Sequence, residues 1–252
     1  LVQYPVKNDS GFFVSNKQKF FLTKFYDGHT FSGNKREFLD LATKFAELHQ
    51  ILNSCKIPFN YRLNQKFYRL LDIGEFKEIV KIIDRKKQLS ELDKLFLNNQ
   101  NLLLESFTKF KLLKSYSSVP KQLIHHDLHP KNAIFNENKI MSIIDFSTMR
   151  LGTILEDIAF TSYRYSLFQS NDVDIIEKNI TLFIDKYFET NPLTYITDEL
   201  LSHLLYQKIL GRLSLILKKY YFYNSNLWAH DLLNHILMLK QIKSYKIFNL
   251  GF

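Results

Sequence analysis

Hydrophobic positions along the chain alternate between two periods. Residues 11–25 carry aromatic and aliphatic side chains in two short arms: Phe12, Phe13 and Val14, then Phe20, Phe21, Leu22 and Phe25. The polar run Ser15-Asn16-Lys17-Gln18 between them predicts a β-hairpin. After the breaker Tyr26-Asp27-Gly28-His29, the pattern switches to helical spacing with Phe38, Leu41, Ala42, Phe45, Leu48 and His49 on one stripe. Asn34 and Glu37 read as a capping box that starts this helix. His49 reads there as a satisfied packing histidine. Residues 65–115 are again helical in pattern. Phe76, Ile79, Val80 and Ile83 form one face, Ser90 and Asp93 a second capping signal, and Ser117-Ser118-Val119-Pro120 a stop. Ala133–Phe135 and Ile140–Ile144 are short apolar runs around the turn 136–139, a second hairpin. Further helices are expected near 155–168, 172–189, 197–222 and 226–246. The order predicts an α+β chain with strands confined to two places.

Composition changes this picture little. The chain's 252 residues suffice for one large domain or two small ones. Only 7 glycines against 23 Phe and 14 Tyr favour a large core over flexible linkers. The net charge of +9 comes from lysines scattered along helical segments, without a basic run or aromatic interleaving, and reads as solvated surface. No nucleic-acid partner is expected. One cysteine, Cys55, excludes an intrachain disulfide framework and a CxxC zinc pattern, so a reducing cytoplasm is the expected compartment. No apolar run reaches the roughly 18 residues needed to span a bilayer, and no membrane association is expected.

Chemistry concentrates between Leu123 and Phe160. Asn132 precedes the first strand of the second hairpin and Asp145 follows the second strand, so both lie at its open end. Diagonal neighbours across paired strands are roughly 7–8 Å apart, a span that a divalent cation can bridge. An amide oxygen and a carboxylate suit magnesium; zinc prefers His and Cys. Asp127, in the loop before the hairpin, is placed to accept the proton of an attacking hydroxyl. The spacing His125-x-Asp127-x-x-x-x-Asn132, with Ile144-Asp145-Phe146 after a strand, matches the catalytic loop and metal-binding Asp of kinases.

The run His125-His126-Asp127-Leu128-His129-Pro130-Lys131-Asn132 resembles the HGDLHPGN motif of the aminoglycoside phosphotransferase and choline kinase superfamily. Ile144-Asp145-Phe146, Gly152 and Asp157-Ile158-Ala159 follow in the family's order. The closest similarity is to the homoserine-kinase-like branch of small-molecule kinases. Protein kinases usually carry a basic residue before the catalytic Asp and a glycine after the second Asp-Phe; here His126 and Ser147 stand there.

The resemblance implies a protein-kinase-like fold, with a partial small β lobe over residues 1–28 and a large, mostly helical lobe over 29–252. It implies a phosphotransferase that uses ATP and Mg2+ and acts on a hydroxyl of a homoserine-, choline- or aminoglycoside-like small molecule. Asp127 would be the catalytic base, Asn132 and Asp145 the metal ligands, and His125, His129 and Asp157 supports. The hinge near Phe25 and Tyr26 would meet the nucleotide. Tyr163, Tyr165, Trp228, Asp172 and Asp174 read as packing or surface residues. The family's phosphate-covering loop and strand lysine belong before residue 1, so with Leu1 in place of Met the chain is expected to be a fragment. A catalytically inactive kinase-like binding or scaffold module is the alternative reading.

Overall fold

The helix expected after Asn34 forms as α1 (Lys35–Ser54), and its predicted stripe is its buried face: Phe38, Leu41, Ala42, Phe45, Leu48 and His49 are all buried. The capping box is only half formed. Asn34 Oδ1 accepts from the Arg36 N–H at 2.8 Å. Glu37, 2% exposed, turns inward and accepts from Ser32 N (2.9 Å) and Ser32 Oγ (2.8 Å), with His29 Nε2 at 2.7 Å. A buried carboxylate requires donors, and the incoming segment 29–32 brings more of them than the helix's own first turn. Together they hold Glu37 below its ordinary pKa although burial, the largest single influence, pushes it up.

The computed structural model describes residues 13–15, 18–20, 25–55, 70–110, 114–194 and 197–244. Two units divide the chain: Leu1–Asn64 with Lys121–Gln169 and Lys178–Leu193, and Gln65–Pro120 with Ser170–Glu177 and Thr194–Phe252.

In the first unit, β1 (Phe13–Ser15) and β2 (Gln18–Phe20) pair antiparallel with Phe13 opposite Phe20. Phe12, Phe21 and Leu22 of the expected hairpin lie outside the described residues. Phe25, expected in its second arm, is instead non-strand and 84% exposed. The second hairpin forms as β4 (Ala133–Asn136) and β5 (Lys139–Ile143), with a bulge between Ile134 and Phe135. Its turn residues Glu137 and Asn138 both have positive φ, the geometry that matches the twist of a tight hairpin. The sequence pattern misses one further pair: β3 (Gln122–Ile124) runs antiparallel to β6 (Arg150–Gly152). Three residues per strand are too few to display an alternation. The close approach in that pair favours Gly152, because a Cβ there would lie 2.4 Å from Ile124 Cδ1 and force that side chain to move. Helix α1 packs on β3 and β5, and α5 (Ile154–Gln169) also meets β3. Helix α6 (Val173–Thr190) buries Ile180, Phe183, Ile184 and Tyr187 in this unit. Aromatic rings fill the core: Phe31 lies 4.9 Å from Tyr165, 5.5 Å from Phe168 and 5.9 Å from Phe135 between centroids.

In the second unit, the helical stretch expected over 65–115 resolves into α2 (Ile73–Asp84), α3 (Glu91–Asn98) and α4 (Gln100–Lys109). The Ser90–Asp93 capping box is complete, and a second complete box, Asp72–Glu75, starts α2. Helix α7 (Asp198–Tyr223) ends at left-handed Asn224 and packs against α8 (Leu232–Ser244). The last helix starts later than the pattern suggests because Ala229–Asp231 forms a 3-10 turn first, with Asp231 receiving a hydrogen bond from Arg212 at 3.2 Å. Among the described residues, no helix is long and apolar enough to cross a membrane.

Candidate active site

The loop from His125 to Asn132 enters from β3 and leaves into β4. Its backbone is bonded from several sides. The His129 N–H donates to Asp127 O at 3.0 Å, and the Asn132 N–H to His129 O at 2.8 Å. Thr148 Oγ1 donates to His125 O (3.1 Å), the Tyr165 hydroxyl to His129 O (3.0 Å) and the Phe31 N–H to Pro130 O (3.2 Å). Tyr165 is fully buried, and burial followed by the Glu37 charge pushes its hydroxyl well above its ordinary pKa, so it stays a donor.

The two histidines expected as supports both bond to backbone. His125 Nδ1 accepts from the Asp127 N–H at 3.3 Å, which leaves the ring proton on Nε2, 2.9 Å from Ile144 O. Burial holds the His125 imidazole below its ordinary pKa, against the opposing pull of Asp157, the Ile144 carbonyl and Asp145. His129 Nδ1 accepts from the Lys131 N–H at 3.2 Å. His125 and His129 thus both turn ring nitrogens to backbone groups, and among the described residues no group of three or more His, Cys, Asp or Glu is placed to hold a metal ion.

Asp157, in the first turn of α5, is 1% exposed and clamps the start of the loop. Its Oδ2 accepts from the His125 N–H and its Oδ1 from the His126 N–H, both at 2.7 Å. Burial alone would raise this carboxyl; the His49 hydrogen bond and the His49, His125 and His126 charges together outweigh it and hold the group below its ordinary 3.8. His49 Nε2 sits 3.1 Å from Oδ2. The packing histidine of the α1 stripe is therefore also a polar partner of the loop clamp. A histidine buried on an otherwise apolar stripe must find such a partner, which is the signal by which the sequence announces it. His126, between the two clamped amides, has φ 72. The left-handed region is costly for a residue with a Cβ, and the related motif has glycine at this place.

Asn132 precedes β4 and Asp145 follows β5 at the open end of the hairpin, where the Ile144 N–H donates to Asn132 O at 3.0 Å. Asn132 is buried, and its Nδ2 donates to Asp127 O at 2.8 Å, which fixes the amide and reserves Oδ1 as an acceptor. Asp145 is exposed, with φ 60. Its Oδ1 accepts from Ser147 Oγ at 2.5 Å, leaving Oδ2 open to a further partner. Ser147 is a residue that sequence reasoning noted only as a departure from the protein-kinase pattern. One amide oxygen and one carboxylate at one strand end are hard oxygen donors, a set that fits Mg2+.

The segment 25–28 approaches the same hairpin. His29 and Phe135 exchange backbone hydrogen bonds at 2.9 and 2.7 Å. At Gly28 a Cβ would lie 2.3 Å from Phe135 O and 2.9 Å from Ile134 Cγ2, so only glycine lets the backbone come this close. Gly28 and His29 thus lie directly against β4, two positions after Tyr26.

A family model described as "Phosphotransferase enzyme family" matches residues 9–178, more than half of the chain. No curated protein matches it in sequence. Among solved structures, an aminoglycoside phosphotransferase from Alicyclobacillus acidocaldarius superposes with a TM-score of 0.63 at 17% identity, covering 96% of this chain and 77% of that one. The amicoumacin kinase in complex with AMP-PNP, Ca2+ and Ami follows at 0.59 and 15% identity, covering 96% and 72%. An ethanolamine kinase from Plasmodium vivax follows at 0.58 and 18% identity, covering 96% and 68%. At these identities the likeness is one of fold.

Proposed function

The chain belongs to the phosphotransferase enzyme family and has a protein-kinase-like α+β fold, and on that premise we propose that it transfers the γ-phosphoryl group of ATP to a hydroxyl of a small molecule. The acceptor class is homoserine-, choline- or aminoglycoside-like. The observation that carries this reading is the Asn132 Nδ2 bond to the Asp127 backbone carbonyl, which ties the main chain of the residue bearing the loop carboxylate to the hairpin's open end. Asp127 accepts the proton of the acceptor hydroxyl as its oxygen attacks the γ-phosphorus, and the bond to the ADP oxygen breaks. Asn132 Oδ1 and Asp145 are the residues that would hold Mg2+, which would supply charge compensation for the phosphate oxygens. His125, His129 and Asp157 keep the loop in register. Residues 1–28 belong to the nucleotide-binding lobe, and the stretch at Phe25 and Tyr26, held against β4 through Gly28 and His29, is the hinge that meets the nucleotide.

The test uses the full-length protein with ATP, Mg2+ and a panel of hydroxylated metabolites and aminoglycosides, scored by labelled phosphate transfer. Acceptor-dependent transfer is expected, and Asp145→Ala should remove the Mg2+-dependent part of nucleotide binding measured by calorimetry. Nucleotide binding with no transfer to any acceptor would replace the kinase reading with a binding module.

A further inference from the structure

Asp157 holds the front of the catalytic loop, at the His125 and His126 amides. The back of the loop, His129 to Asn132, is held by other groups. The Tyr165 hydroxyl donates to His129 O at 3.0 Å, and the Phe31 N–H donates to Pro130 O at 3.2 Å. The Phe31 and Tyr165 rings meet edge to face with centroids 4.9 Å apart, so both donors come from one packed pair. Segment 29–32, which carries Phe31, is not helical and makes one isolated bridge, His29 to Phe135. A segment with so little backbone pairing of its own depends on side chains to fix it. Here the side chain is Glu37, 2% exposed in the first turn of α1. Its Oε2 accepts from Ser32 N at 2.9 Å and Ser32 Oγ at 2.8 Å, and its Oε1 lies 2.7 Å from His29 Nε2.

We propose that Glu37 is a positioning residue for the back half of the catalytic loop: by fixing His29 and Ser32 it sets the Phe31 amide on Pro130 O, and through it the stretch His129–Asn132. Two buried carboxylates then bracket the loop, Asp157 directly at its entry and Glu37, acting through Phe31, at its exit. Ser32 is exposed, so its N–H and hydroxyl can turn to water when the carboxylate is removed. The loss therefore appears as freedom of segment 29–32, not as an orphaned buried donor. The Phe31 amide is the next link. The Asn132 N–H, which donates to His129 O at 2.8 Å, is the one after. Asn132 belongs to the proposed site, where misplacement by a fraction of an ångström slows transfer. The rate part of this inference rests on the kinase reading; the loop part does not.

Amide hydrogen exchange of the full-length protein, read residue by residue by NMR, tests it. Glu37→Ala should speed exchange at Phe31 and Asn132 by about tenfold and leave His125 and His126 within about twofold of wild type. Asp157→Asn should reverse that order. Glu37→Gln keeps an oxygen toward Ser32 and should recover most of the protection. With an acceptor in hand, kcat should follow the same series, falling about tenfold in Glu37→Ala and returning in Glu37→Gln. Should Glu37→Ala fail to fold, Ser32→Ala removes one of the same bonds at an exposed position and should shift the Phe31 and Asn132 amides in the same direction. Equal acceleration at all four amides in Glu37→Ala, or wild-type exchange at Phe31 and Asn132 in both Glu37→Ala and Ser32→Ala, would overturn the proposal. Selective exchange with a wild-type kcat would overturn its rate part. If wild type transfers phosphate to no acceptor, the kinase reading falls while the exchange pattern still decides this one.

Discussion

Asp157 and Asp145 stand on either side of the short strand β6 and are handled in opposite ways. Asp157 is sealed in the core with both oxygens committed to backbone amides and His49. Asp145 is exposed, in a left-handed turn, with one oxygen held by Ser147. A carboxylate whose acceptor capacity is filled from within acts on the fold. A carboxylate held at one oxygen and open at the other is available to a ligand. Asp127 is half-buried and follows directly on the two residues, His125 and His126, whose amides Asp157 holds.

Substitutions should separate the two kinds of acid. The largest effect on turnover is expected at Asp127: Asp127→Asn should lower kcat about 100- to 10,000-fold with the denaturation midpoint unchanged. A variant that turns over at the wild-type rate would remove Asp127 from the mechanism. Asp157→Ala should instead appear first in stability. It strips partners from two buried amides and His49, and urea denaturation should report a loss of about 3–5 kcal/mol. A smaller loss, under about 1 kcal/mol, would mean that the clamp is ornamental.

Acid should erode the fold in two windows. The His125 pKa is depressed in the folded state, so the unfolded chain binds the extra proton and stability declines as pH falls below its ordinary 6.5 toward the folded value. Asp157 is also depressed, so its contribution is complete above its ordinary 3.8 and is lost as pH drops from there through the folded value. Urea midpoints measured across pH should show both declines, and Asp157→Asn should flatten the lower one and, by removing a charge that pulls the His125 pKa up, steepen the upper one, after allowance for Glu37 and Asp93, which are depressed as well. The smallest effect is expected at His126. Replacing it with glycine should relieve the left-handed backbone and raise stability by about 1 kcal/mol, visible as a higher thermal midpoint.

The features legible in the sequence are those whose cause is local. The buried face of α1 follows from periodicity, because a 3.6-residue repeat needs nothing from the rest of the chain. The second hairpin follows from its two apolar runs, which pair about the turn at Glu137–Asn138 and leave Asn132 and Asp145 at its open end. The Ser90–Asp93 box forms as written. The Asn34–Glu37 box carries an equivalent signal and half fails, because its acid is claimed by His29 and Ser32, and the backbone of His29 is pinned to Phe135 far along the chain. The β3–β6 pair escaped for the same reason, its three-residue strands being defined by each other. The role of His49 was half visible: the stripe showed that it is buried, while its partner lies 108 positions away.

That separation has a kinetic meaning. The clamp on His125 and His126 closes only when α1, α5 and the end of α6 have all arrived, and the His49–Tyr187 contact spans 138 positions. Contacts of such long range are entropically expensive to close and form late in folding. A chain emerging from synthesis therefore carries Asp127 long before the loop around it is held in place, and order at that loop reports that the distant helices have docked.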